Sequence, residues 1–401
     1  MKRKRIAIVI GTRPEAIKMA PVVKALQRRS VEFEPIVIAT AQHREMLDQV
    51  LSLFKIDPQI DLNVMYPNQN LSELTARVLN MMDKTLQTIR PDLLLVQGDT
   101  TTVLASSLAA FYNDLPVGHV EAGLRSHDKH NPFPEEISRC LTTVLAEMHF
   151  APTLLAQEKL LREGVSKKKI IVTGNTVIDA LFIQLKNPFN FADSPLATIP
   201  FDNHRILLVT SHRRESWGED LENICFALKS LEELFPDLFI VYPVHLNPKV
   251  RETVLQLLAG RERIFLTDPL DYITFLNLMK QAYIILTDSG GIQEEAPALR
   301  KPLLVLRKLT ERPEAFNAGL ARVVGVSQQA IVEEASRLLL DDELYRSMST
   351  GLNPYGDGYA AERIVESISR WSHGELPFLE ENKEFSYSNC GLGVTNYTTP
   401  S

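Results

Sequence analysis

Short, unbroken apolar runs recur along this chain, each separated from the next by a longer amphipathic stretch, and this rhythm limits the fold more than any other feature. Ile6–Ile10, Ile36–Ala39, Leu93–Val96, Val117–Val120 and Ile170–Thr173 are continuous rather than alternating, as in strands buried on both faces. Between them Ala16–Arg28, Leu71–Ile89 and Thr102–Tyr112 carry helical periodicity. Such a βαβα pattern predicts a parallel sheet with helices on both sides. The stretch 188–203 breaks the rhythm and reads as a linker. The alternation then restarts with Ile206–Thr210, Phe239–Tyr242, Ile264–Leu266, Tyr283–Thr287 and Leu303–Leu306.

The expected class is therefore α/β, with two doubly wound, Rossmann-like domains facing a cleft. The first is expected over 1–187 and the second over 204–357. Ligands of such sheets bind outside the carboxyl ends of the strands, so the cleft is where a site is expected. One more helical pattern, Ala360–Trp371, follows, and 375–401 is polar, aperiodic and expected to be mobile in its last part.

A chain of 401 residues can bury a large core without disulfides or structural metals. Its 43 basic and 50 acidic residues argue against a nucleic-acid binder, which would need a strongly basic face. Cys140, Cys225 and Cys390 are scattered, which suggests reduced thiols and gives no zinc signature. No run approaches the length of a membrane span, and the first apolar run is too short for a signal-peptide core. A cytoplasmic protein without membrane partners is expected.

The chemistry is expected at strand ends. Gly11-Thr12-Arg13-Pro14-Glu15 follows the first run, and Arg13 with Lys18 one turn later suits an anion at a helix start, although both residues also suit a solvated helix face. It lacks the G-x-G-x-x-G spacing of a nicotinamide site. Asp99 and Glu121 each follow a buried strand. Asp99 alone would read as a helix cap, but capping explains one such carboxylate more comfortably than two. Glu135 and Arg139 are one helical turn apart, adding a third carboxylate and a charge partner.

In the second half, Ser211-His212-Arg213-Arg214 offers a proton donor and an anion clamp, with a structural histidine as the alternative. Asp288-Ser289-Gly290-Gly291 runs from a strand into a helix start suited to phosphate. Glu294 or Glu295 is placed to accept from ribose hydroxyls, and Arg312 follows the next strand. There is no H-E-x-x-H and no clustered Cys or His, so no metal is expected.

Taken in order, GTRPEAIKMAP, TAQHREMLDQ, QGDTTT, GHVEAGLRS, PFPEEISR, TGNTVIDAL, SHRRES, YPVHLNP, TDSGGIQEEAP and TERPEAFNAG resemble the bacterial non-hydrolysing UDP-N-acetylglucosamine 2-epimerases over about Lys4 to Trp371. The resemblance implies a glycosyltransferase-B-like fold with a C-terminal helix, about 358–372, packing back on the first domain. It also implies interconversion of UDP-N-acetylglucosamine and UDP-N-acetylmannosamine without a cofactor, a homodimer, and a place in cell-envelope polysaccharide synthesis. On that resemblance Asp99, Glu121, Glu135, Arg139 and His212 match catalytic or supporting positions. Arg13, Lys18, Phe275, Ser289, Gly290, Gly291, Glu295 and Arg312 match nucleotide-sugar contacts. Gln42, Arg213 and His245 match positions that bind a second, activating substrate molecule, while Glu45 and Asn68 depart from that pattern.

The hydrogen on carbon 2 of the sugar is not next to a carbonyl, so direct proton exchange would be very slow. Family chemistry expels UDP to leave 2-acetamidoglucal, then adds it back. This needs cations for the diphosphate and carboxyls for the proton, and crowding the carboxyls should spread their proton affinities. The rival readings are a sister epimerase acting on a UDP-2,3-diacetamido-hexuronic acid, a hydrolysing epimerase, a glycosyltransferase of the same fold, and a non-catalytic nucleotide-sugar sensor.

Overall fold

The computed structural model describes residues 3–40, 44–66, 69–202, 204–213, 217–308 and 312–386. Gln42, Asn68, Arg214, Cys390 and the last part of the tail lie outside the described residues, as does the side chain of Glu45. The chain forms two units, Met1–Ala180 with Tyr355–Ser401, and Leu181–Pro354.

In the first unit the strands are β1 (Lys4–Ile10), β2 (Phe33–Ala39), β3 (Ile60–Asp61), β4 (Leu93–Gln97), β5 (Val117–Val120), β6 (Met148–Ala151) and β7 (Ile170–Val172). They pair in the order β3-β2-β1-β4-β5-β6-β7, and every pairing is parallel. The second unit holds β8 (Arg205–Thr210), β9 (Leu238–Pro243), β10 (Ile264–Thr267), β11 (Ile284–Thr287), β12 (Leu303–Val305) and β13 (Ala321–Val323). Its order is β10-β9-β8-β11-β12-β13, again all parallel. Both are doubly wound sheets, as the alternation of apolar runs predicts.

Strand order reverses between β1 and β4 in the first sheet and between β8 and β11 in the second. Chains leaving these neighbours diverge to opposite faces and open a crevice at the carboxyl end, where ligands of such sheets bind. Register decides which residues meet there. Gln97 pairs with Val120, so Gly98-Asp99 and Glu121 leave the first sheet side by side. Thr210 pairs with Thr287, so Ser211-His212 and Asp288-Ser289 leave the second side by side.

Three strands escape the apolar-run criterion. β3 has two residues, β13 contains Arg322, and β6 carries His149 at its centre, buried all the same. The segment 188–202 holds buried Leu196 and Ile199 and a stack of Phe191 on Phe201 with centroids 4.3 Å apart. The last part of the tail, where mobility is expected, lies outside the described residues. As far as Ser386 the tail is seated on the first unit, because Phe378, Leu379 and Phe385 are buried and the Phe385 N–H donates to the Val172 carbonyl at 2.8 Å. Three anchors at irregular spacing leave no periodic signal in the sequence.

Helix Ala360–Ser372 packs on helix Arg13–Arg28. Arg29 pairs with Glu366 at 2.9 Å and Arg28 with Glu362. The residue before the C-terminal helix supplies no side-chain cap. Instead the buried carboxylate of Asp179 accepts from the N–H groups of Ala360 and Ala361 at 3.2 and 2.8 Å.

Burial pushes the Asp179 carboxyl up to about 7 from an ordinary 3.8, against the pull of those two N–H groups. A raised carboxyl contributes stability that is present below its unfolded value and is lost as pH rises through its folded one. Losing this cap in Asp179→Ala is expected to cost about 1–2 kcal/mol in urea unfolding near pH 5. The gap to the parent protein should narrow as the pH is raised from about 3.8 to about 7 and stay level above that. A gap that widens with pH would contradict the buried acid.

Candidate functional site

The first switch point is built around Glu121, which follows β5 with a backbone φ of +64°, a conformation costly for a residue with a Cβ and often kept at functional sites. Its carboxylate is buried. Lys18, on helix Arg13–Arg28, donates to Oε1 at 2.5 Å, Asn175, just past β7, donates to the same oxygen at 3.2 Å, and Gln97 at the end of β4 donates to Oε2. A helix, a strand end and a loop from distant parts of the chain thus converge on one carboxylate.

Asp99 stands beside it. The capping alternative is settled by Thr100, whose hydroxyl accepts from the Val103 N–H at 3.3 Å and caps helix Thr101–Tyr112. Asp99 is free for another task and receives Arg139 Nη2 at 2.6 Å. Burial raises its proton affinity, Arg139 opposes that, and the charges of Glu121 and Glu135 raise it again. Two neighbouring carboxylates thus act on Asp99.

The helical pair Glu135–Arg139 takes a different form from the one its spacing suggests. Arg139 turns to Asp99 and, more distantly, to Glu136 at 3.5 Å. Glu136 also accepts from the Ser126 and His127 N–H groups, both at 2.9 Å, and these bonds hold the loop before the helix. Glu135 keeps a buried Oε2 with no hydrogen-bond donor, so it is left available to a ligand.

Arg13 is half-buried at the first turn of its helix, and no ion pair engages it among the described residues. Lys18, expected beside it as an anion clamp, is directed to Glu121. Sequence reasoning passed over Glu15. Its buried carboxyl accepts from the Gly11 N–H at 2.6 Å and the Thr100 hydroxyl at 2.9 Å, tying the loop after β1 to the loop after β4. Burial raises it to about 7. His119 is also buried, with Nε2 2.7 Å from the Gly98 carbonyl, and so supports the turn that carries Asp99.

In the second unit Asp288 is fully buried and ties its two loops together. Its Oδ2 accepts from Ser211 Oγ at 3.1 Å and from the N–H groups of His212 and Arg213 at 2.7 and 2.9 Å. His212 is thereby presented at the end of β8, with its ring stacked on His245 at 5.6 Å between centroids.

Helix Gly290–Ala298 starts at Ser289, whose side chain makes no capping bond. A Cβ on Gly290 would lie 3.3 Å from the Arg312 guanidinium, and Gly291 faces open space. Arg312 is anchored by Glu294 at 2.5 Å. Glu295 accepts from the Tyr272 hydroxyl at 3.3 Å, and half-buried Phe275 lies one helical turn beyond Tyr272. A helix start with open N–H groups, a glycine pair and a fixed guanidinium suits an anionic group. Asp288 stood within the motif that sequence reasoning singled out, yet its tie to the other strand could be found only from register.

Two doubly wound sheets, each with charged groups gathered at its switch point, define a glycosyltransferase-B-like protein. The comparisons agree. The fold is shared, at a TM-score of 0.58 and 12% identity, with the glycosyltransferase of kitacinnamycin, over 87% of this chain and 94% of that one. The profile of the UDP-N-acetylglucosamine 2-epimerase family matches residues 24–369, and the chain belongs to that family. It is 53% identical over 369 residues to UDP-N-acetylglucosamine 2-epimerase of Escherichia coli strain K12, covering 91% of this chain and 98% of the relative. The structure of UDP-GlcNAc 2-epimerase from Neisseria meningitidis bound to UDP-GlcNAc matches at 47% identity and a TM-score of 0.84, over 91% of this chain and all of that one.

Burial lowers the His119 imidazole to about 4 from 6.5. A lowered histidine contributes stability that is present above its unfolded value and is lost as pH falls through its folded one. His119→Gln, which keeps a donor for Gly98, is therefore expected to lose less thermal stability than the parent between about pH 6.5 and 4. Parallel acid losses in melting scans would exclude His119 as the responsible group.

Proposed function

We propose that this chain interconverts UDP-N-acetylglucosamine and UDP-N-acetylmannosamine by expelling UDP and adding it back to the opposite configuration at carbon 2. The observation that carries this reading is the meeting of Asp99 and Glu121, with Glu135 nearby, at one switch point with Lys18 and Arg139 as counter-charges. The names of the Escherichia coli and Neisseria meningitidis relatives support the substrate.

In this mechanism a carboxylate of the first unit takes the proton from carbon 2 while the bond between carbon 1 and the diphosphate oxygen breaks. The bonding electrons leave with UDP, and 2-acetamidoglucal remains. Asp99 suits proton transfer because burial strengthens it as a base while Arg139 holds it in place. Glu121 is held as a carboxylate by three donors. Glu135, with an unpaired buried oxygen, is assigned to the other face. In the second unit the helix start at Ser289, Gly290 and Gly291, with Arg312, is assigned to the diphosphate, Glu295 to the ribose and Phe275 to the uracil. His212 protonates the departing oxygen and takes the proton back on re-addition.

Asp99→Asn keeps the shape and removes the base. It is expected to lower turnover by about a hundredfold or more while UDP binding, followed by calorimetry, survives. Proton NMR in deuterated water with UDP-N-acetylglucosamine alone tests the whole scheme. The epimer should appear with solvent deuterium at carbon 2. Free N-acetylmannosamine with accumulating UDP would point to a hydrolysing enzyme. No epimer at all would point to a transferase or a sensor.

A further inference from the structure

Asp288 uses its two carboxylate oxygens differently. Oδ2 is saturated by Ser211 Oγ and by the N–H groups of His212 and Arg213. Oδ1 is equally buried, receives no hydrogen bond, and stands 3.3 Å from Nδ1 of His212. A buried acceptor left without a donor is costly, so native folds seldom leave one unused. Contacts of this kind in catalytic sites are often long until substrate binds, and then they tighten.

The surroundings favour one tautomer. Thr210 and Thr287 are register partners whose hydroxyls lie 2.6 Å apart, and Thr287 Oγ1 also accepts from the Ser289 N–H at 3.0 Å. The two loops are latched, which fixes the separation of the backbones that carry His212 and Asp288. Among the described residues, His245, which follows β9, stacks on the ring. Burial lowers the proton affinity of His245, His212 lowers it further, and Asp288 opposes both. His212 Nε2 makes no hydrogen bond to a described residue, and 43% of the side chain is exposed.

We propose that Asp288 is the positioning residue for His212, holding the imidazole with a proton on Nδ1 so that Nε2 is the nitrogen that gives and regains a proton. This rests on the role assigned above to His212. In the elimination, the electrons of the broken carbon–oxygen bond pass to the diphosphate oxygen, which takes the Nε2 proton. Re-addition returns that proton to Nε2. Asp288 takes no part in the proton transfer and does not touch the substrate.

The substitution Asp288→Asn separates the two oxygens. Three donors still need an acceptor at the Oδ2 position, so the amide carbonyl must stay there and the amide NH2 must face His212. An NH2 offered to Nδ1 demands a lone pair and moves the ring proton to Nε2. The variant thus keeps the loop and inverts the tautomer.

The test uses the full chain carrying 15N-labelled histidine, at about pH 8.5, where an ordinary imidazole is neutral. Among the nine histidines, His212 is identified by the signals that His212→Gln removes. The parent protein should show His212 protonated on Nδ1, and Asp288→Asn should show it protonated on Nε2. Turnover in the variant should fall on the order of tenfold to a hundredfold with KM for UDP-N-acetylglucosamine little changed. Nε2 protonation in the parent overturns the inference without any variant having to fold. An unchanged tautomer in Asp288→Asn, or an inverted one with full turnover, overturns it as well. If His212→Gln itself retains turnover, the role of His212 in the reaction fails, and that result is distinct from a tautomer that fails to follow Asp288.

Discussion

A carboxylate whose side chain is only 5% exposed must be met by donors, and much of the first unit's site follows from satisfying Glu121. Lys18, Gln97 and Asn175 come from a helix, a strand end and a loop that are far apart in the chain. Removing one partner of such a buried pair typically costs about 3–5 kcal/mol, because the charge stays behind without compensation. The same constraint places Asp99, since the residue that pairs in register with Val120 is Gln97, a donor to Glu121. Charge satisfaction and strand register therefore lead to the same arrangement, and each limits how far the other can change.

Both units use a buried acid to tie together the two loops that leave a switch point. Glu15 bonds the turn after β1 to the cap of the helix after β4, and Asp288 bonds the turn after β8 from its place after β11. Diverging loops share no sheet hydrogen bonds beyond the strand ends, so a short polar side chain is an economical way to fix their separation. In the second unit the same acid also faces His212, which links the support of the loop to the chemistry proposed for it.

Much of this organisation was legible in the sequence. Continuous apolar runs reveal strands buried on both faces, and polar residues directly after them mark the carboxyl ends where ligands of parallel sheets gather. Asp99, Glu121, His212 and the Ser289 turn were found that way. β6 was hidden by His149, a polar residue that the fold buries without a charge, its imidazole lowered to about 3 by burial. The tail was hidden because Phe378, Leu379 and Phe385 follow no period. Arg139 was assigned to its helical neighbour, since spacing along a helix shows which pairs can meet and not which partner is better placed.

The order of apolar and polar residues by itself determined the class of fold, the strands and the loops where charge accumulates, because backbone hydrogen bonding and burial act on local pattern. What only the tertiary structure decided was partnership: that Thr100 rather than Asp99 caps its helix, that Lys18 meets Glu121, that Arg139 meets Asp99, and that Asp288 meets His212. These pairs depend on strand register and on which buried charges lack another donor. Both are properties of residues brought together from distant parts of the chain, and no local pattern encodes them.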